Sequence, residues 1–339
     1  MSEAPSSPLV WSETVAIPAV LEETLERRAG FEDVVALLRE PSARRLIVTG
    51  NGASSYVAHA IWLASLAGRR PPIEVLGVPA GLLATGDLAL DEGDVLLAIS
   101  ASGELRELIE LLERRPAGVE AAAITGSPES SIGRLAAAAA VVASGPQEAV
   151  LHTHAYCGAI VVGLALLADL ADDPELRDAV AGAPAAAERA IETASAWASE
   201  ALPHIPTPTA AYALGSGAGW AAALETALVV KECCQIPTEG VEAREAATTA
   251  MTALLPEHLV VSLPTRDDAV AVESERICAS RGAHVLRAPG GELADRRLAP
   301  ITTFPAAVAL AVELAGRVGV DPDKPAWTDT YYETARRSG

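Results

Sequence analysis

The chain has 339 residues, of which 50% are hydrophobic, 4% aromatic and 21% charged. Its 25 basic and 45 acidic side chains leave a formal net charge of −20, which argues against a nucleic-acid-binding surface or an anionic membrane partner, since phosphates would be repelled. At roughly 100–200 residues per domain the length predicts two or three domains, and half apolar content excludes a mainly disordered chain.

The first apolar pattern is helical. Val20, Leu21 and Leu25 share a face, and Phe31, Val34, Val35, Leu37 and Leu38 resume it after Arg28-Ala-Gly. Arg45-Leu-Ile-Val-Thr-Gly then reads as a buried strand, followed by Asn51-Gly-Ala-Ser-Ser and an Ala-rich helix over 56–67. Strand, glycine turn and helix open a βαβ unit. Further buried strands are expected at Ile73–Val78, Asp94–Ser100, Val119–Thr125 and Ala140–Ala143, with a helix over Glu104–Arg114. Strands alternating with helices predict a parallel sheet covered on both faces.

The run Ala155–Leu170 is the most apolar in the chain. It is shorter than the roughly 20 residues a membrane span needs, and it reads as a core helix. The acidic, Ala-rich segment 172–204 has helical spacing and ends at a Pro-rich patch, Leu202–Thr209. Beyond it the opening pattern returns. Ala213-Leu-Gly-Ser-Gly-Ala-Gly repeats the Gly-x-Gly-Ala of Val48-Thr-Gly-Asn-Gly-Ala-Ser, again between a strand and a helix, Trp220–Cys233. Val260–Pro264 and His284–Arg287 resemble further strands. The expected architecture is therefore α/β: two doubly wound parallel-sheet domains in tandem. The boundaries are 1–30 for an N-terminal helical arm, 31–172 for the first domain, 173–204 for a helical linker and 205–339 for the second domain with a C-terminal tail.

Two turns carry potential chemistry. Asn51, Gly52, Ala53 and Ser54 lie between a strand and a helix N-terminus, where glycines allow close approach and free N–H groups favour an anion. The turn is not Gly-x-Gly-x-x-Gly, because position 55 is Ser, so a dinucleotide fingerprint is not supported. Ser100, Ala101 and Ser102 form a second strand-to-helix turn. In open α/β sheets this edge is where ligands bind, and two Ser-rich turns there could converge on a phosphate without a lysine. Plain βα turns with serine caps remain the alternative.

Gly50–Ser54, Ile99–Glu104, the Gly145–Thr153 stretch GPQEAVLHT and the Ala227–Glu232 stretch ALVVKE together resemble the sugar-isomerase (SIS) domain family. The resemblance runs from about residue 15 to 330. Its layout is similar to the tandem-SIS isomerase half of glucosamine-6-phosphate synthase and to SIS-type glucosamine-6-phosphate deaminases. No amidotransferase domain precedes it in this sequence. The resemblance implies flavodoxin-like SIS domains. It further implies that Asn51, Gly52, Ala53, Ser54, Ser100, Ala101 and Ser102 hold a sugar phosphate, that Val150 makes a backbone contact to the sugar, and that Glu232 is the base shuttling a proton between C1 and C2. Without the resemblance, Glu232 beside Lys231 reads as solvated helix surface.

There are departures from the family pattern. Leu105 replaces a phosphate-facing threonine, and Val229 replaces the first lysine of the A-L-K-x-K-E segment. Thr248-Thr249-Ala250 stands where the family's His-Gly-Pro supplies a ring-opening histidine. Val320-Asp-Pro-Asp-Lys-Pro resembles the family's ending, but the lysine beyond it has no match in the C-terminal residues. His152 and His154, flanking Thr153, are the candidates to compensate, because a histidine titrates near neutrality; they equally suit ordinary loop or cap residues. They lack a third ligand for a metal.

The expected function is a phosphosugar isomerase or amino-sugar-phosphate deaminase acting on a hexose 6-phosphate. The alternative is a phosphosugar-binding protein without turnover. No metal or cofactor is expected. The expected assembly is a homodimer, with no nucleic-acid or membrane partner. Four cysteines, two of them adjacent (Cys233 and Cys234), with no signal-peptide pattern, suit reduced thiols in the cytoplasm.

Overall fold

The computed structural model describes residues 7–330. They fall into two compact units. One comprises 19–145 and 155–184; the other comprises the residues up to 18, 146–154 and 185–329.

The first unit holds five parallel strands: β1 (Arg45–Thr49), β2 (Glu74–Gly77), β3 (Asp94–Ser100), β4 (Glu120–Thr125) and β5 (Ala138–Val141). Their order is β2-β1-β3-β4-β5. β3 is buried at every residue, which is why it reads in sequence as an unbroken apolar run rather than an alternating one. The registers Arg45↔Asp94 and Thr49↔Ala98 align β1 with β3. A bidentate pair at 2.8 and 2.5 Å, Arg45 to Asp94, fixes the amino-terminal end of that alignment. The core beneath one face joins Ile47, Leu96 and Ala98 to Leu108, Leu111 and Leu112 of the helix Arg106–Arg114.

The second unit holds four parallel strands: β6 (Ala211–Gly215), β7 (Thr238–Glu242), β8 (Leu259–Ser262) and β9 (His284–Arg287), in the order β7-β6-β8-β9. Each chain segment thus begins in its sheet, steps to one edge and returns past its start. This doubly wound path creates a switch point between β1 and β3 in one unit and between β6 and β8 in the other. The turn geometry repeats as well. Gly52 lies at φ 55°, ψ −132° before the helix Ala53–Ser65, and Gly217 at φ 55°, ψ −130° before the helix Ala218–Cys234. A Cβ on Gly50 would lie 2.6 Å from the Ser54 Cβ, and one on Gly215 would lie 1.9 Å from the Gly219 oxygen. The first glycine of the repeated motif is therefore a steric requirement in both copies, and the second a conformational one, set by its positive φ.

Two elements differ from expectation, and the bridging segment and the apolar helix agree with it. Strand β7, sequence TEGVE, was not read as a strand. It is an edge strand with only Val241 buried, so it carries no alternating apolar signal. The helix expected from Glu104 begins at Arg106, because the Glu104 carboxylate turns away to bind Ser131. The bridging segment forms two helices, Pro174–Ala181 and Ala183–Ala201. The apolar helix Thr153–Leu170 is 94% buried inside the fold, as a core helix is, and the run Arg296–Val318 is 89% buried.

Candidate functional site

In the first unit both serine-bearing turns leave the carboxyl ends of β1 and β3, the two strands that flank the switch point. The Asn51 carbonyl accepts the Ser54 N–H at 3.1 Å, and the Gly52 carbonyl accepts the Ser55 N–H at 2.9 Å, closing the turn into the helix. Asn51, Ala53 and Ser54 are half-buried and Gly52 is exposed. Thr49, the last residue of β1, has a buried Oγ1 with no hydrogen-bond partner among the described residues.

The second turn is held by its own serines. Ser100 Oγ accepts the Gly103 N–H at 3.1 Å, and Ser102 Oγ accepts the Glu104 N–H at 3.2 Å. A serine hydroxyl that accepts a bond keeps its own hydrogen to donate. Ser102 is exposed, Ala101 half-buried and Ser100 buried. Gly103 adopts φ +68°, and a Cβ there would meet Ser130 Oγ at 2.1 Å. The Glu104 carboxylate accepts from the Ser131 hydroxyl at 2.6 Å and the Ser131 N–H at 2.9 Å. These bonds, the hydroxyl's first, hold it below the usual carboxylate range. Leu105 packs against the apolar core, so the hydroxyl lost at this position is exchanged for buried contact.

The second unit contains the remaining candidates. Residues 146–152 form a loop tied to the helix Leu9–Val15 by one residue, Glu13. Its carboxylate accepts Gln147 Nε2 at 3.2 Å, the Glu148 N–H at 2.7 Å and the Ala149 N–H at 3.1 Å. Its backbone oxygen lies 2.6 Å from His154 Nε2. A carbonyl only accepts, so His154 carries its hydrogen on Nε2 and donates it there. His154 is buried at this anchor. His152 is exposed as a residue; desolvation by the surrounding protein lowers its pKa, with the Glu13 charge opposing. Val150, half-buried, immediately follows the two N–H groups that Glu13 holds.

Glu232 lies in the last turn of the helix Ala218–Cys234. Burial pushes its pKa up to about 7, opposed by the charge of Lys231. The Trp327 indole N–H donates to its backbone oxygen at 3.0 Å. Glu225 lies two turns earlier and is 1% exposed. Both of its carboxylate oxygens are buried without a hydrogen-bond partner among the described residues. Burial, and secondarily the charge of Glu232, drives its pKa well up. Val229, one turn from Glu225, is apolar and supplies no cation. Neither Glu225, Glu13 nor Trp327 stood out in the sequence, since each acts through a distant or buried partner that spacing does not reveal.

Thr248 and Thr249, where the resembled family has its histidine, bond instead to Glu245: Thr248 Oγ1 to the carboxylate at 2.8 Å and Thr249 Oγ1 to the carbonyl at 2.7 Å. Residues 331–339, within which a C-terminal lysine was sought, lie outside the described residues. Among the described residues no cluster of three His, Cys, Asp or Glu could hold a metal ion. Cys233 and Cys234 are buried free thiols.

Comparison with known proteins gives a consistent picture. Residues 41–168 match the family model described as the SIS domain. An isomerizing glutamine–fructose-6-phosphate aminotransferase from Aeropyrum pernix is 29% identical, over 91% of this chain and 54% of that protein. The chain thus spans about half the length of that relative. Among solved structures, the C-terminal domain of glucosamine-fructose-6-phosphate aminotransferase from Francisella tularensis is 17% identical, covers 96% of this chain and 100% of its own, and has a TM-score of 0.76. Glucosamine-6-phosphate deaminase from Thermotoga maritima is 19% identical, covers 94% of this chain and 97% of its own, and has a TM-score of 0.75. At these identities the structural likeness is one of fold. Residues 41–168 carry a SIS domain, and the chain is similar in sequence to isomerizing aminotransferases and in fold to proteins of amino-sugar phosphate chemistry.

Proposed function

We propose that the protein is an aldose–ketose isomerase or amino-sugar deaminase acting on a hexose 6-phosphate, with Glu232 as the general base. The observation that carries this reading is the state of Glu232. Its carboxyl stands at the position that the family resemblance gives to the base, and burial moves its pKa to about 7. A carboxylate with that pKa is both partly ionised at neutral pH and basic enough to take a carbon-bound proton.

On this reading the hydroxyls of Ser54, Ser100 and Ser102 and the N–H groups of Asn51, Gly52, Ala53 and Ala101 hold the phosphate. Val150 meets the sugar through its backbone. His152 takes the proton of the anomeric hydroxyl and returns it to the ring oxygen, opening the ring. His154, whose Nε2 hydrogen is engaged by the Glu13 carbonyl, holds the loop instead. Glu232 then removes the C2 proton to give an enediol, or an enolamine where C2 bears nitrogen, and delivers it to C1. The enediol route ends at the ketose. The enolamine route gives a ketimine that water hydrolyses to the ketose and ammonia. No metal or other cofactor enters either route.

The repeated turn geometry and strand order support reading the second sheet as another SIS-type domain, with boundaries near 31–172 and 205–339. We further propose a homodimer working in the cytoplasm, without a nucleic-acid or membrane partner. The test is a panel of hexose 6-phosphates, with and without an amino group, read first by thermal stabilisation and then by ketose and ammonia. A ligand confined to the folded state raises the melting temperature. Stabilisation with product supports the enzyme; stabilisation without product would replace it by a phosphosugar-binding protein.

A further inference from the structure

We propose that Glu13 is a positioning residue for the sugar-contacting loop 146–152, a role that rests on the function proposed above. The argument begins with the loop's own peptide groups. A loop keeps one conformation only when its backbone hydrogen-bonding groups are satisfied in a fixed pattern. Here the N–H groups of Glu148 and Ala149, consecutive and immediately before Val150, both point at one carboxylate, that of Glu13, at 2.7 and 3.1 Å. The Gln147 side chain makes a third bond to it at 3.2 Å. Bonds to an ionised acceptor are shorter and stronger than neutral ones. Beyond the loop, His154 donates to the Glu13 carbonyl at 2.6 Å. One residue thus grips both ends of the segment that carries Val150 and His152.

The grip is useful only if Glu13 is itself held. Asp323 accepts the Leu9 and Val10 N–H groups at 2.7 and 2.9 Å and so fixes the start of the Glu13 helix. Four residues after Asp323, Trp327 donates to the backbone oxygen of Glu232 at 3.0 Å. Residues 323–327 therefore bond both to the turn that carries Glu232 and to the helix that carries Glu13. The second unit links its candidate base to its candidate sugar loop through these bonds. Removal of the Glu13 carboxylate frees the two N–H groups before Val150 while leaving Glu232 untouched, so binding should suffer and the proton-transfer step should not.

The experiment compares wild type, Glu13→Gln and Glu13→Ala in the full chain, with fructose 6-phosphate and glucosamine 6-phosphate as probes. Affinity is measured directly by calorimetry, turnover as kcat and KM, and amide exchange at Glu148 and Ala149 without ligand. Glu13→Ala is expected to weaken affinity and raise KM at least about tenfold, with kcat within about threefold. Exchange at both amides should accelerate at least about tenfold. Glu13→Gln keeps one accepting oxygen and should fall between. Asp323→Asn, which loosens the helix start, should shift affinity in the same direction, and Glu13→Gln carries the test if the alanine variant does not fold. Unchanged affinity in a folded variant with accelerated exchange would overturn the positioning role, as would a loss confined to kcat. A wild type that binds neither sugar would defeat the functional reading itself. A wild type that binds beside variants that bind equally well would defeat only the role of Glu13.

Discussion

Two carboxyl groups on one helix have opposite consequences. Glu232 has a pKa of about 7 and must be ionised to accept a proton, so kcat/KM should fall about tenfold per pH unit below 7 and level off above it. A profile flat from pH 6 to 8 would remove Glu232 from the mechanism. Replacement by glutamine should abolish turnover and leave sugar-phosphate affinity within about threefold, as calorimetry would show. Glu225 is fully buried without a hydrogen-bond partner among the described residues, and its folded-state pKa is raised well above that of the unfolded chain. The folded state therefore holds a proton that the unfolded state releases above about pH 4.5, and stability is lost as pH rises from there towards the folded-state value. Glu225→Gln removes this dependence. The variant should gain on wild type between pH 5 and 8, by up to about 1.4 kcal/mol per pH unit. Denaturant midpoints at those two pH values check it, and a constant difference would contradict the account.

On the proposed function, the turns after β1 and β3 are what the first unit offers a ligand. Ser100 and Ser102 cap their own turn and keep their hydrogens for an acceptor. Replacing both with alanine should weaken hexose 6-phosphate affinity about tenfold or more, at a modest cost in stability; unchanged affinity would move the phosphate elsewhere. Gly103→Ala strains a backbone at φ +68° and drives a methyl into Ser130. It should destabilise the protein by about 1–3 kcal/mol, which thermal unfolding would register. The turns themselves were legible as turns, because glycine and serine between an apolar strand and a helix mark a βα connection; serine capping, which the bonds of Ser100 and Ser102 show, was the other use the sequence allowed. β7 was not, because a charged edge strand with only Val241 buried has no periodicity to read. Glu13 was not legible either. Its partners are more than a hundred residues away, and a single acidic residue in a seven-residue helix looks like surface.

Across the described residues, the parallel winding followed from apolar strands alternating with helices, and the return of Gly-x-Gly-Ala coincides with a second sheet whose four strands follow the order of the first four in the first sheet. The chemistry was less legible. The proposed role of Glu232 came from a family resemblance, whereas the burial that shifts its pKa exists only in the fold. Leu105, Val229 and Thr248–Ala250 depart from the pattern that the resemblance implies. They are why the reaction rests on measurement. The most direct one incubates the protein in deuterium oxide with fructose 6-phosphate or glucosamine 6-phosphate and follows the C1 and C2 protons by nuclear magnetic resonance. The account predicts deuterium entering at C1 or C2, with ketose or ammonia appearing, and the loss of both in Glu232→Gln. Exchange that survives the Glu232→Gln change, or bound sugar that never exchanges, would contradict it.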